Sequence, residues 1–215
     1  MSPTMKTRIL LADDHAMFRE GVKQLLTNNP DLDVVEEAND AAQVIQKVQQ
    51  TRCDVVVLDI SMPGRDGIDV LKQIRQLNSR IHVLVLSMYP EEQYAFRAIK
   101  AGASGYLTKN KASSELIAAI QRVAAGRKYI SPEVAEQLAV ELGTGADTPL
   151  HQRLSDREFQ VMCLIASGRT VGEIAHELSI SVSSVSTMRT RILKKFRMKT
   201  SAEITHYAIK HDLVK

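Results

Sequence analysis

The sequence predicts an α/β chain in two parts: a doubly wound, five-stranded parallel sheet, then a second, smaller, all-α domain of four helices. Three observations predict it. Five short apolar runs alternate with amphipathic stretches between residues 8 and 125, the pattern of a parallel sheet with helices on both faces. These runs are apolar throughout instead of at every second residue, as strands covered on both sides are. Beyond Gly126 the strand-like runs stop, helical spacing continues alone, and the charge turns basic.

The strand candidates are RILLA (8–12), DVVEEA (33–38), DVVVL (54–58), HVLVLS (82–87) and SGYL (104–107). Between them lie helical stretches from Met17 to Leu26, Ala41 to Val48, Ile68 to Leu77 and Tyr94 to Ile99. Another runs from Leu116 to Ala125, where Leu116, Ile117, Ile120, Val123 and Ala124 recur at helical spacing. Ser131-Pro132-Glu133 reads as a helix start with proline in the first turn, so a short helix is expected over Pro132 to Leu142. GTGADTPLHQR (143–153) is broken by glycine and proline and reads as linker. Ser155-Asp156-Arg157-Glu158 is a capping box opening a helix that ends at Gly168. A short helix over Glu173 to Leu178, the tight connection Ser179-Ile180-Ser181, a helix from Val182 to Phe196 and a last one over Ala202 to Ile209 follow. The divisions expected are a first domain over 1–127, a linker with its short helix over 128–149, and the helical domain over 150–215.

Composition narrows the class. Of 215 residues, 44% are hydrophobic and 25% charged, as in ordinary globular chains. No apolar run approaches the ~18 residues of a membrane span, and the N-terminal run is too short for a signal peptide, so a cytoplasmic protein is expected. Cys53 and Cys163 both sit in apolar runs without metal-ligand spacing and read as buried thiols. The net charge of +3 is uneven: residues 150–215 hold 11 Lys and Arg against 6 Asp and Glu, leaving 17 against 19 before them. A basic tail part facing a polyanion fits that asymmetry.

In open parallel sheets, ligands bind beyond the carboxyl ends of the strands. At those ends stand Asp13-Asp14, Asp59, Ser87 and Thr108-Lys109. Clustered carboxylates repel unless a cation binds, and Mg²⁺ suits an all-oxygen set. A carboxylate beside such an ion and a lysine can attack a phosphoryl group, since both cations offset charge on the transferring oxygens. Ser87 can then hydrogen-bond a new phosphoryl oxygen. Taken alone, a DD pair is a common helix cap or turn, Asp59 could cap the next helix, and His15 reads as the start of the first helix at the rim. Met62-Pro63-Gly64 reads as turn chemistry.

The set DD at 13–14, LDISMPGRDG at 58–67, LS at 86–87 and GYLTK at 105–109 resembles the receiver domain of bacterial two-component response regulators over about residues 6 to 126. The resemblance implies a flavodoxin-like sheet of strand order 2-1-3-4-5. It implies Asp59 as phosphoacceptor and Asp13, Asp14, Asp59 and the Ser61 main-chain carbonyl as Mg²⁺ ligands. Ser87 and Lys109 would bind the phosphoryl group, and Tyr106 would be the aromatic switch that follows Ser87 inward. Many receivers carry a cis-held proline directly after the lysine; here Asn110 follows Lys109, leaving that peptide open.

The helix over Val182 to Phe196 has apolar Val185, Met188, Ile192 and Phe196 spaced to face a core. Small hydroxyls and then arginines remain outside, a face suited to a DNA groove. With the short helix before it, this makes a helix-turn-helix, whose second member enters the major groove. A solvated basic helix in a small bundle is the bland alternative. LSDREFQVMCLIASGRTVGEIAHELSISVSSVSTMRTRILKKF (154–196) resembles the LuxR-type helix-turn-helix of the NarL/FixJ class. By that resemblance Ser184, Ser186, Thr187, Arg189 and Arg191 are groove or phosphate contacts, while Lys194 and Lys195 touch phosphates or solvate the far end. Family members often carry lysine after the valine and histidine before the arginine; Ser186 and Met188 stand there instead, so no target sequence can be borrowed.

Together the resemblances imply a DNA-binding transcriptional regulator switched by phosphoryl transfer from a sensor histidine kinase to Asp59. The consequence expected is homodimerisation on paired half-sites of double-stranded DNA, release of the DNA-binding part, or both. The last helix, with Ile204, Tyr207, Ala208 and Ile209, is expected either to form the dimer face or to close the bundle. Two alternatives stay open from the residues alone: a small-molecule phosphatase working through Asp59, and a phosphorylation-independent DNA-binding protein. Phosphatases of the haloacid-dehalogenase type need a second carboxylate two residues on, where this chain has Ser61.

Overall fold

The computed structural model describes residues 6–62, 66–143 and 149–214. Its contacts divide the chain into two compact units, Met1–Glu136 and Gln137–Lys215. Pro63 and Gly64 of the turn read above, and residues 144–148 of the linker, lie outside the described residues.

The first unit alternates β1 (Thr7–Ala12), α1 (Ala16–Thr27), β2 (Leu32–Ala38), α2 (Ala41–Gln50), β3 (Val55–Leu58), α3 (Gly67–Leu77), β4 (His82–Ser87), α4 (Glu91–Lys100), β5 (Gly105–Thr108) and α5 (Ala112–Ala124). All strand pairs are parallel, in the order β2-β1-β3-β4-β5. Side chains of a strand point alternately to its two faces. Ile9, Leu11, Val55, Val57, Leu84, Leu86 and Leu107 therefore share one face, packed on Val22 and Leu26 of α1 and Leu116, Ile120 and Val123 of α5. The intervening Leu10, Val56, Leu58, Val83, Val85 and Tyr106 are equally buried on the opposite face, where α2 packs on α3 and α3 on α4. Burying such a side chain contributes about 1.5–3 kcal/mol, enough to fix the strand register.

Helices begin earlier than their apolar residues announce. Periodicity starts α4 at Tyr94 and α5 at Leu116, but the first turns are Glu91 onward and Ala112 onward. First turns need polar residues for their unpaired N–H groups, so they carry little apolar signal. The stretch read as linker from residue 128 starts against the first unit. Tyr129 forms a parallel bridge to Gly105: its N–H donates to the Ser104 carbonyl at 3.0 Å, and its carbonyl accepts from Tyr106 N–H at 3.0 Å. Next comes α6 (Pro132–Gly143).

In the second unit a short 3-10 turn (Leu150–Arg153) leads into α7 (Asp156–Ala166), α8 (Val171–Glu177), α9 (Val182–Phe196) and α10 (Ser201–Lys210). Each of these four α-helices has a hydroxyl N-cap accepting a backbone N–H: Ser155, Thr170, Ser181 and Thr200. Such a cap is worth about 1 kcal/mol. Ser155–Glu158 and Thr170–Glu173 are full capping boxes. Gly168 ends α7 at φ +82°, and Ser179 turns the chain between α8 and α9 at φ +51°. Arg157 donates to the Leu178 carbonyl at 2.8 Å and ties that turn to α7. Phe159, Met162, Ile174, Val185, Ile192, Phe196, Ile204 and Ala208 form the core. Of the residues expected in α10, Ile204 and Ala208 thus close the bundle, while Ile209 is 56% exposed. Both cysteines are buried free thiols.

Candidate functional site

The parallel register places Ala12 beside Leu58 and Leu58 beside Val85. The residues just past those strand ends therefore meet. Lys109, one residue beyond β5, sets its Nζ 2.6 Å from Asp59 Oδ2 and 2.7 Å from Asp13 Oδ2. Its ammonium also lies 4.7 Å from the centroid of the Phe18 ring of α1. Asp59 Oδ1 accepts the Ser61 N–H at 2.8 Å, and Asp13 Oδ1 accepts the His15 N–H at 2.8 Å. Arg19 reaches back from α1 to the Asp13 carbonyl at 2.7 Å and to Glu37 at 3.1 Å, which fixes the loop carrying the two aspartates. Asp13, Asp59, Ser87 and Lys109 are all buried.

Burial pushes the Asp59 carboxyl above its ordinary range, against the pull of the Lys109 ammonium and the Ser61 N–H. Burial also works against the Lys109 ammonium, but Asp59 and Asp13 outweigh it and raise its pKa. The lysine is held charged between two carboxylates. Asp14 stands on the outer side with His15, whose Nδ1 lies 2.9 Å from Asp14 Oδ1 and 3.4 Å from Asp13 Oδ1. One ligand atom each from Asp13, Asp14, His15 and Asp59 can be chosen so that all lie within 4.8 Å of one another. Asp13 Oδ2 and Asp14 Oδ1 are buried and accept no hydrogen bond; ion-pair contacts are what they have. Three carboxylates converging with spare lone pairs are a donor set that fits a hard dication such as Mg²⁺.

Ser87 ends β4, and its Oγ accepts the Tyr89 N–H at 3.1 Å. Tyr106 of β5 donates its hydroxyl to the Tyr89 carbonyl at 2.9 Å, and Tyr89 stacks on Tyr94 of α4 with ring centroids 4.6 Å apart. The Tyr106 ring is buried, 1% exposed, and burial raises its phenol pKa well above the ordinary range. The Lys109–Asn110 peptide is trans, as are all peptide bonds of the described residues. Beside this cluster the Tyr129 hydroxyl donates to Glu115 at 2.5 Å, with its pKa pushed up to about 12 by burial and that carboxylate. The Ser131 N–H donates to Glu91 at the start of α4 at 3.1 Å.

On α9, Ser186, Thr187, Arg191 and Lys194 are exposed along one side. Ser184 is half-buried in the N-cap cluster, its hydroxyl 2.8 Å from Ser181 Oγ. Arg189 donates through Nε to Ser201 of α10 at 2.8 Å. Lys195, itself exposed, sets its ammonium 2.6 Å from the buried Glu158 carboxylate. His15 stands at the N-cap of α1, where the sequence reading put it, and also lies beside Asp14. The reading of the residues missed two partners. Phe18 covers Lys109, and Tyr129 pairs with β5; neither is signalled by any motif.

The family model for the response regulator receiver domain matches residues 9–121. That for bacterial regulatory proteins of the luxR family matches residues 152–208. The oxygen regulatory protein NreC of Staphylococcus carnosus (strain TM300) is 36% identical over 96% of this chain and 99% of its own length. The response regulator UvrY of Escherichia coli (strain K12) is 32% identical over 95% of this chain and 94% of its own. Among solved structures, the two-component response regulator RcsB in complex with DNA aligns with a TM-score of 0.58 at 25% identity, covering 94% of this chain and 97% of RcsB.

Proposed function

Because the chain belongs to the two-component response regulators of the NarL/FixJ class, joining a receiver to a LuxR-type helix-turn-helix domain, we propose that it is a DNA-binding transcriptional regulator switched by phosphorylation of Asp59. The phosphoryl donor is a sensor histidine kinase. An Asp59 carboxylate oxygen attacks the phosphorus, a P–O bond forms, and the bond from phosphorus to the kinase's histidine nitrogen breaks. Lys109, 2.6 Å from that carboxylate, stays charged and pairs with the incoming phosphoryl oxygens. Asp13, Asp14, Asp59 and the Ser61 carbonyl would hold Mg²⁺, which supplies charge neutralisation on the phosphoryl oxygens. The Ser61 N–H steadies the other Asp59 oxygen. The Lys109 contact to both Asp13 and Asp59 carries this reading, since it gathers three strand ends into one acidic pocket.

A new phosphoryl group, roughly −1.5 to −2 in charge, offers an acceptor for the Ser87 O–H, and turning to donate to it draws the Ser87 oxygen away from the Tyr89 N–H that it accepts. Losing Ser87 loosens the Tyr89 turn that also receives the Tyr106 hydroxyl. The surface of α4, β5 and α5 responds, favouring dimerisation, release of the DNA-binding domain, or both. Dimerisation through α10 is supported by exposed Ile209 and by an open depression lined by Met198, Glu203, His206 and Tyr207. DNA binding through α9 is supported by the helix-turn-helix and by exposed Arg191 and Lys194. The domain limits proposed are 1–127, 128–149 and 150–215. The chain turns over no substrate beyond its own phosphoryl group. Among the described residues no helix is long and apolar enough to cross a membrane.

The test is incubation with acetyl phosphate and Mg²⁺. Wild type gains acid-labile phosphate and Asp59→Asn gains none; persistent labelling of the variant would overturn the assignment. Hydrolysis of simple phosphate esters with turnover would favour the phosphatase reading instead.

A further inference from the structure

We propose that α9 reads thymine in the major groove through the 5-methyl group of the base, with Val182, Thr187 and Thr190 as the reading side chains. The inference rests on the DNA-binding reading above and adds what the helix selects. It starts from what the exposed face of α9 lacks. Val182, Ser183, Ser186, Thr187 and Thr190 are the exposed residues of its first nine positions. None is Arg, Lys, Asn or Gln, the side chains that read guanine or adenine with paired hydrogen bonds. Arg189 falls within the same stretch, but it is half-buried and its Nε is committed to Ser201.

Most hydroxyls on this face already have internal partners. Thr187 Oγ1 donates to the Ser183 carbonyl at 2.9 Å, and Thr190 Oγ1 donates to the Ser186 carbonyl at 3.0 Å. A threonine hydroxyl has one proton, so neither has a donor left for a base edge. Ser183 and Ser184 sit 2.8 Å from Ser181 Oγ, which also accepts the Ser184 N–H. The free chemistry of the two threonines is then an acceptor lone pair and a methyl group. Beside them Val182 is 55% exposed, one of few large apolar side chains left open in the described residues.

Spacing completes the argument. Positions 182, 186 and 190 follow one row up the helix, and Thr187 adjoins Thr190 three residues on. The two threonines thus sit side by side, with Val182 on the same row as Thr190 across Ser186, all within the first two and a half turns, where a recognition helix meets base edges. Thymine is the base that presents an apolar group in the major groove. An apolar patch there gains by covering that methyl and loses by stripping water from the amino and carbonyl groups of the other bases. Arg191 and Lys194 lie further along, where they serve phosphates without reading sequence.

The experiment removes the methyl alone. The tightest-binding duplex is selected from a random-sequence pool with the phosphorylated full-length chain. Each thymine is then replaced in turn by deoxyuridine, which keeps every hydrogen-bonding group. Wild type should bind about fourfold more weakly for each methyl that the patch covers, the size of one buried methyl. Val182→Ala, Thr187→Ser and Thr190→Ser should each lose that sensitivity at one position. Thr→Ser keeps the hydroxyl, and Val182 is exposed, so all three variants should still fold and take up phosphate at Asp59. Unchanged affinity at every uridine position, or full sensitivity persisting in all three variants, overturns the proposal. Failure to bind any duplex with salt-dependent affinity would instead overturn the DNA-binding reading, and this one with it.

Discussion

Two glycines show how far single atoms decide stability here. A Cβ on Gly105 would sit 2.8 Å from the Tyr129 carbonyl and 2.9 Å from its Cβ, and no rotamer change can move a backbone oxygen away. Gly21 lies inside α1 with nothing within 4 Å of the same built atom. Gly105→Ala should therefore destabilise by about 1–3 kcal/mol, and Gly21→Ala should stabilise by about 0.5–1 kcal/mol. Urea denaturation of the isolated variants measures both, and equal signs would refute the account. The acidic pocket gives a second expectation. Carboxylates with spare lone pairs should bind Mg²⁺ in the native state alone, so millimolar Mg²⁺ should raise the thermal midpoint of wild type. Asp14→Asn should blunt the rise without unfolding the chain, since Asp14 is part-exposed at the rim. At this scale the sequence was legible where a strand end carries a particular group: Asp13 and Asp59 both come within ion-pair reach of Lys109, and Ser87 ends β4. Phe18 over Lys109 was not, because an apolar residue on a helix reads as core wherever it points.

Helices of the second unit are specified at their ends as firmly as along their faces. Glu158 shows why. It completes a capping box by accepting the Ser155 N–H at 2.8 Å, and it takes the Lys195 ammonium at 2.6 Å, linking α7 to α9. Burial disfavours its charge, yet the lysine and the Ser155 N–H prevail and hold its pKa below the ordinary glutamate range. A carboxyl with a depressed folded pKa binds fewer protons native than unfolded. Its contribution is whole above the unfolded value, about 4.3, and is lost as pH falls through the folded one. Glu158→Gln keeps the capping geometry but loses the charge, so it should cost about 1.5–3 kcal/mol near neutrality. Acid titrations followed by circular dichroism should show the two proteins converging as pH falls through that depressed folded value; a gap that persists at the acid end would mean that packing, not charge, explains the loss. The capping boxes were readable as S-x-x-E and T-x-x-E patterns, and the strands as apolar runs. The pairing of Lys195 with Glu158 was not readable, because a basic residue near a helix end has no visible partner until the neighbouring helix is placed.

Across the whole molecule, acidic and basic surfaces are separated along the chain, and function should follow that separation. DNA affinity should fall steeply with salt, by about 0.9 in the log–log slope per phosphate contacted. Arg191→Ala and Lys194→Ala should each lower that slope by about 1 across all sequences, while leaving phosphate uptake at Asp59 intact. Lys195→Ala should change the slope little and stability more, because its charge is already spent on Glu158. Filter binding over a salt series distinguishes the three. The two-part organisation was legible from charge and from the end of the strand pattern. The docking of residues 128–131 was not, since one tyrosine in a short polar stretch has no periodicity to betray pairing with a strand.

That docking has a consequence for crowding in the cell. A sheet with bare outer strands offers a template along which other chains can polymerise. Here the chain covers one rim with its own Tyr129. At the other rim Lys47 already sits on the main-chain carbonyl of Glu37 and pairs with Glu36. The receiver is therefore guarded against runaway stacking on both sides, and its copies are left to meet through helices, where association can be reversed.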